Sequence, residues 1–360
     1  MRRGVVGLRG SVIAIFTSKA TSLRNVGRDI AMVSQKRGCI PQLFTYLIPG
    51  YDVYEKFDKA IYIMTFSPLW VKPWVLNAME VYHGGKGKPV VFYTTVEGDP
   101  KPHLMKPWLY NPVPYIANSH YTKEKLEKAG LYVRDVVYHG INLDEVKIAK
   151  TEVKRARKML ESKLGSGVYF GVVSTAHPRK GLDFLFKAID IARKQDKDIK
   201  FYVLTNGDYA NRDGVLVDRS FGQHNKTDVL AFMGAVDFIV IPSFCEGFGL
   251  VLIEANAMGT PVIHCRYPPL TEITNDSNIQ FDYEDIQSMD VGDGILYEYH
   301  LYKPKELAQA ILEASEIAKE RREEYENRAK SVEEAVEKFD ATIHYNRLLD
   351  ILDSTGAQSG

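Results

Sequence analysis

The chain has 360 residues, 45% hydrophobic and 26% charged, a composition that excludes wholesale disorder and suits about two globular domains. No apolar run approaches the roughly 18 residues needed to cross a bilayer, and glycines and Arg9 interrupt the apolar start, so no signal peptide is expected. Three scattered cysteines (Cys39, Cys245, Cys265) argue against a disulfide framework or a structural zinc and favour a reducing cytoplasm.

The formal net charge is zero, which gives nucleic-acid binding no support, but it is a cancellation. Residues 1–150 carry 21 basic and 12 acidic side chains, and the remaining 210 carry 25 and 34. A basic first domain suits an anionic acceptor, or peripheral contact with an anionic membrane surface. Mutual attraction between two lobes explains the same split.

Strand and helix patterns alternate along the chain, as in parallel sheets covered by helices. Ser11–Phe16 reads as a strand, residues 17–25 as a polar loop, and Gly27–Arg37 as an amphipathic helix. Pro41–Ile48, Ala60–Phe66 and Pro89–Thr95 are expected strands, with a helix over Trp70–Tyr82. Tyr115–Ser119 and Val133–Tyr138 are strands flanking a helix at Thr122–Ala129, with Thr122 near its N-cap. A charged helix over Asp144–Leu164 then reaches Gly165-Ser166-Gly167, a natural joint. Beyond it, Val168–Ser174, Lys200–Thr205, Phe238–Pro242 and Pro261–Cys265 are expected strands. Leu182–Arg193, Asp228–Gly234 and Leu250–Met258 are the intervening helices, and Lys303–Lys319 and Arg321–Asp353 are long charged ones. The expected fold is α/β: two Rossmann-like, doubly wound lobes with a long C-terminal helix. The boundaries fall at 1–145 for an acceptor-side lobe, 146–335 for a nucleotide-binding lobe, 336–353 for a terminal helix suited to return to the first lobe, and 354–360 for a loose tail.

Open parallel sheets bind ligands at the carboxyl ends of their strands. The richest such loop follows Phe238–Pro242. It carries Glu246, turns at Gly247-Phe248-Gly249 and enters a helix at Leu250, with Glu254 farther along. Free N–H groups and a positive dipole coincide at that helix start, which suits a diphosphate. Glycines there let backbone approach a ligand closely. Glu254 is placed for a bidentate grip on vicinal hydroxyls such as those of a ribose. Two glutamates eight positions apart mean little alone. Joined to Pro242-Ser243 before them and Ala257–Val262 after them, they form a specific pattern.

That pattern, over residues 241–263, resembles glycosyltransferase family 4, retaining enzymes with the two-lobed GT-B fold. The likeness extends over about 115–310, through Tyr115–Ser119, Tyr138–Asn142, Ser174–Asp183 and Gly292–Ile311, and is weaker over 1–90. It implies that Lys180 and the Gly249–Leu250 backbone bind the donor diphosphate, that Glu254 holds the ribose, and that Glu246 meets the donor sugar. An ammonium such as that of Lys180 is a good point charge for phosphate. Two departures stand out. Where the family usually has an arginine before the lysine this chain has Thr175, with Arg179 a substitute or a solvent residue. Where many members have a histidine after the fourth strand this chain reads Val96-Glu97-Gly98-Asp99. Glu97 or Asp99 is a candidate to orient or deprotonate an acceptor hydroxyl, and both carboxylates equally suit a turn around Gly98.

His139 and His177 read as hydrogen-bonded structural residues, and no histidine has metal-ligand spacing to Cys or Asp, so no metal site is expected. Asp196-Lys197-Asp198 and the basic run 154–158 read as solvated charge. The expected activity is sugar transfer from a nucleotide sugar to a hydroxyl of a glycan, lipid or protein, with retention and without metal or cofactor. A silent sugar-nucleotide-binding scaffold and a sugar-nucleotide epimerase are the alternatives.

Overall fold

The computed structural model describes residues 10–356. The N-terminal residues 1–9, read above as carrying no signal peptide, and the last four of the expected tail lie outside them.

The first lobe contributes β1 (Val12–Thr17), β2 (Ile40–Phe44), β3 (Lys59–Thr65), β4 (Val90–Thr95), β5 (Gly98–Pro100), β6 (Tyr115–Ala117) and β7 (Val133–Val136). Six of these form a parallel sheet in the order β2-β1-β3-β4-β6-β7. The second lobe contributes β8 (Val168–Val173), β9 (Ile199–Leu204), β10 (Val215–Asp218), β11 (Phe238–Ile241), β12 (Val262–Cys265) and β13 (Ile279–Phe281), in the parallel order β10-β9-β8-β11-β12-β13. Both are doubly wound: the chain starts mid-sheet, builds to one edge, then returns to the other. The central strands are almost continuously apolar because helices cover both faces, and Ile13–Phe16, Ala60–Ile63 and Phe238–Val240 are buried.

Several elements differ from the sequence reading. The first helix begins at Thr21, inside the expected loop, because its polar first turn faces the interlobe cleft instead of the core. The second strand stops at Phe44, and Pro49 opens a short helix, Gly50–Lys56. Ser119, not Thr122, caps the helix His120–Lys128, its hydroxyl accepting from the Thr122 N–H at 3.0 Å. The expected single helix over Arg321–Asp353 is three pieces: Arg322–Ala335, a 3-10 turn at Val336–Phe339, and Ala341–Thr355. The break lies where the chain crosses between lobes. Asp340 caps the last piece by accepting from the Thr342 N–H at 2.7 Å, and Ile141 bridges to Asp340. That helix packs on the first sheet through buried Tyr345, Leu348, Leu349 and Leu352, and runs through Ser354 and Thr355.

A third sheet belongs to neither lobe. In the antiparallel order β14 (Asp285–Asp290), β15 (Ile295–Leu301), β5, it pairs Gly98–Pro100 of the first lobe with Ile295–Tyr297 of the second. Charges reinforce it. Lys125 reaches Glu298 at 2.7 Å and Asp99 at 3.3 Å, and Lys101 pairs with Asp290. Nearby, the Glu272 carboxylate of the second lobe accepts from the His120 and Tyr121 N–H groups at 2.7 and 3.1 Å, where the helix dipole favours an anion.

Candidate active site between the lobes

The carboxyl ends of β1, β4, β8 and β11 face one another across a cleft of about 840 Å³. A more open groove beside Asp276, Glu323 and Arg328 lies away from these strand ends.

After β8 the chain enters a 3-10 turn, Pro178–Lys180, whose start is capped by the His177 ring accepting from the Arg179 N–H. The turn is pinned to the next loop. Arg179 O accepts from Phe244 N–H at 2.8 Å, and Gly181, at φ 65°, packs so near Pro242 O that a Cβ would lie 2.1 Å from it. The loop after β11 delivers Glu246 and Gly247 and reaches the helix Leu250–Ala257 through Gly249 at φ 103°, a conformation that glycine adopts without strain. No side chain caps this helix start and no acid lies in its first turn, so its N–H groups and dipole stay directed to the cleft.

Ten of the residues singled out from sequence line this cleft: Glu97, Thr175, Arg179, Lys180, Glu246, Gly247, Phe248, Gly249, Leu250 and Glu254. Asp99 does not, and pairs instead with Lys125 and Lys128. Lys180 Nζ meets Glu246 Oε1 at 2.5 Å. Arg179 lies 2.7 Å from Glu97 and 3.7 Å from Glu246, and donates to Cys245 O. Arg179 is therefore an interlobe ion-pair residue with a mostly covered side chain, not a solvent residue. Burial raises the Glu246 pKa, but the Lys180 and Arg179 charges outweigh it and hold the carboxyl below its usual range. Thr175 lines the wall, its carbonyl accepting from the Ser174 hydroxyl.

The sequence reading missed a cation. Glu254 pairs with Lys226, which starts the helix Lys226–Ala235. Burial alone would lower the lysine pKa, but Glu254, Asp29 and Glu145 raise it, so the ammonium stays charged. Only Lys226's place just after an Asn225 N-cap signalled it, and nothing local linked it to Glu254.

A buried relay holds the Gly247 loop from the first lobe. Thr95 Oγ1 donates to Gly247 O at 3.0 Å, and Asn118 Nδ2 reaches the same carbonyl at 3.4 Å. Asn118 also donates to His139 Nε2 at 3.2 Å, and His139 Nδ1 lies 2.9 Å from the Tyr93 hydroxyl. Because that hydroxyl gives its proton to Val137 O at 2.9 Å, it must accept from His139, which fixes the neutral tautomer with hydrogen on Nδ1. Burial, aided by His344, lowers the His139 pKa to about 3.

Among the described residues no group of three or more His, Cys, Asp or Glu is arranged to hold a metal ion, and no helix is long and apolar enough to cross a membrane.

Comparison with known proteins assigns this architecture. The model of the family "Glycosyl transferases group 1" matches residues 167–316. A glycosyltransferase, 335, of Sulfolobus islandicus rod-shaped virus 1 is 30% identical over 352 residues, covering 94% of this chain and 99% of that one. A crystal structure of a glycosyltransferase from Rickettsia africae ESF-5 superposes with a TM-score of 0.73 at 15% identity, over 97% of this chain and 99% of that one. Anabaena Alr3699/HepE in complex with UDP and glucose gives 0.69 at 15% identity, over 96% and 100%. The match along nearly the whole length of the viral relative, with the two-lobed GT-B fold, places this chain among the group 1 glycosyltransferases.

Proposed function

We propose that the protein transfers a sugar from a nucleoside diphosphate donor to an acceptor hydroxyl, retaining the anomeric configuration and using no metal. The observation that carries this is the convergence, in one cleft, of Lys180, Arg179, the uncapped helix start at Leu250 and the Glu254 carboxylate. The diphosphate lies on the helix start and Lys180, and Glu254 holds the ribose diol. Glu254 engages Lys226 through Oε1, and a carboxylate has further lone pairs to accept from hydroxyls. That a structure of the same fold holds UDP-glucose supports this class of donor.

As the bond from the anomeric carbon to the leaving phosphate breaks, the sugar gains positive charge and the diphosphate negative charge. Lys180 and the helix dipole stabilise the latter, already in place within a site shielded from water. Glu97 holds Arg179 in position, and Glu246 orients Lys180 while offering its remaining lone pairs to the sugar. All three carboxylates lining the cleft are engaged by cations. The leaving phosphate oxygen is then the base available to the incoming hydroxyl, and attack on its own face gives retention.

The test is thermal stabilisation by nucleoside diphosphates and nucleotide sugars, on wild type and on Glu254→Ala. A shift that Glu254→Ala weakens supports the reading, and no shift at millimolar nucleotide sinks it.

A further inference from the structure

The charged side chains lining the cleft do not balance. On the second-lobe side and at its junction with Glu97, three cations, Arg179, Lys180 and Lys226, face three carboxylates, Glu97, Glu246 and Glu254. The opposite wall adds Lys19, Arg24 and Arg28 with no lining carboxylate, leaving three positive charges. Among the described residues none of these three makes an ion pair, and the Arg24 Nε is buried without a hydrogen-bond partner. Lys19 and Arg24 flank the start of the helix Thr21–Lys36, which has no capping side chain and no acid in its first turn, and Arg28 lies one turn beyond Arg24 along the same helix. Asp29 and Glu145 are the acids that act on Arg28, and burial raises the pKa of both, that of Asp29 to about 7. Across the gap, Gly222 of the second lobe approaches Thr21 closely enough that a Cβ there would lie 3.3 Å from its hydroxyl.

The two phosphates of a nucleotide sugar bring about one negative charge each. With the donor bound, the cleft still holds positive charge, and the excess sits on the first lobe, away from the Leu250 helix start. We propose that Lys19, Arg24 and Arg28 form a subsite for a phosphate-type anionic group carried by the acceptor. The inference rests on the donor reading above and adds the acceptor's chemical class. Two guanidinium forks four residues apart beside an uncapped helix start match phosphate oxygens better than neutral hydroxyls.

The probe is inorganic phosphate, titrated calorimetrically into protein saturated with UDP or GDP, whichever binds. Millimolar phosphate affinity is expected in wild type, weakened at least tenfold in Arg24→Gln/Arg28→Gln, with nucleotide affinity changed less than twofold. Arg28→Gln alone, an exposed change, should show an intermediate loss, and an unchanged melting temperature certifies each fold. The proposal is overturned if saturated wild type binds no phosphate, or if the variants bind it equally. It is also overturned if the double variant loses nucleotide affinity tenfold, since the cations then serve the donor diphosphate. Should neither nucleotide bind wild type, the donor reading fails by itself. The same titration on nucleotide-free protein then decides the anion site, by whether phosphate binding depends on Arg24 and Arg28.

Discussion

Thr95, at the end of the fourth strand of one lobe, donates its hydroxyl proton to the carbonyl of Gly247, in the glycine-rich cleft loop of the other, at 3.0 Å. The approach is tight: a Cβ on Gly247 would lie 2.4 Å from Thr95 Oγ1 and 3.1 Å from Glu97 Cγ. Gly247 is thus required by an approach between lobes. Gly247→Ala is expected to lower kcat/KM by about tenfold or more, equivalent to about 1.4 kcal/mol. Thr95→Ala in the same chain removes the clashing oxygen and should recover part of the loss, a coupling that a double-mutant cycle measures. If the two losses simply add, the contact is not what positions the loop.

Lys180→Met removes the ammonium nearest the expected leaving group and leaves Glu246 with the more distant Arg179. A fall in kcat of about 10²–10³ is expected, the size seen when one preorganised donor to developing charge is removed. Arg179→Lys should also be costly, because one ammonium cannot span Glu97, Glu246 and Cys245 O as the guanidinium fork does. Steady-state rates of nucleoside diphosphate release check both.

Removing Lys226 tests the ribose side. Lys226→Met leaves the buried Glu254 carboxylate without its cation, a penalty of about 1–3 kcal/mol. Nucleotide affinity should fall roughly tenfold or more, while Lys226→Arg retains most of it. Calorimetric titration of the nucleoside diphosphate separates the two variants, and equal affinity in Lys226→Met and wild type would remove Lys226 from the site.

The buried relay predicts a pH dependence. Folding lowers the His139 pKa from 6.5 to about 3, so the unfolded chain binds more protons between these values. Stability therefore rises with pH across that window. It is fully present above about pH 6.5 and drains away as pH falls toward 3. Asp29, whose carboxyl burial pushes up to about 7, works in the opposite sense over the same window, so the test is the difference between variants: on going from pH 7.5 to 5 the urea midpoint of His139→Asn should shift less unfavourably than that of wild type. His264, whose pKa burial lowers to about 4, contributes in the same sense, so the difference between variant and wild type is the informative quantity.

The two lobes and the glycine-rich loop after Phe238–Ile241 were legible in the sequence because their signals are local. Apolar strands such as Phe238–Ile241 are bounded by loops, and Glu246, Gly247-Phe248-Gly249 and Glu254 occupy one stretch of chain. What stayed hidden depends on partners far along the chain. Glu254 meets Lys226, 28 positions away, and Thr95 meets Gly247, 152 positions away. The third sheet was invisible because Gly98-Asp99-Pro100 is three residues long, all of them poor strand formers, and is a strand only by virtue of Ile295–Tyr297. The helix start at Thr21 was read as loop since its polar turn lines the cleft. The unpaired state of Arg24 and Arg28 needed coordinates, because charge counts over residues 1–150 do not tell a solvated lysine from one lining a site.

The sheet shared by both lobes constrains how they move. Its main-chain hydrogen bonds resist sliding of one lobe past the other and tie Glu97, one residue before the shared strand, to the register of Ile295–Tyr297. Any opening of the cleft that leaves this sheet intact is then a swing about it, which displaces groups far from the seam more than Glu97 and its partner Arg179.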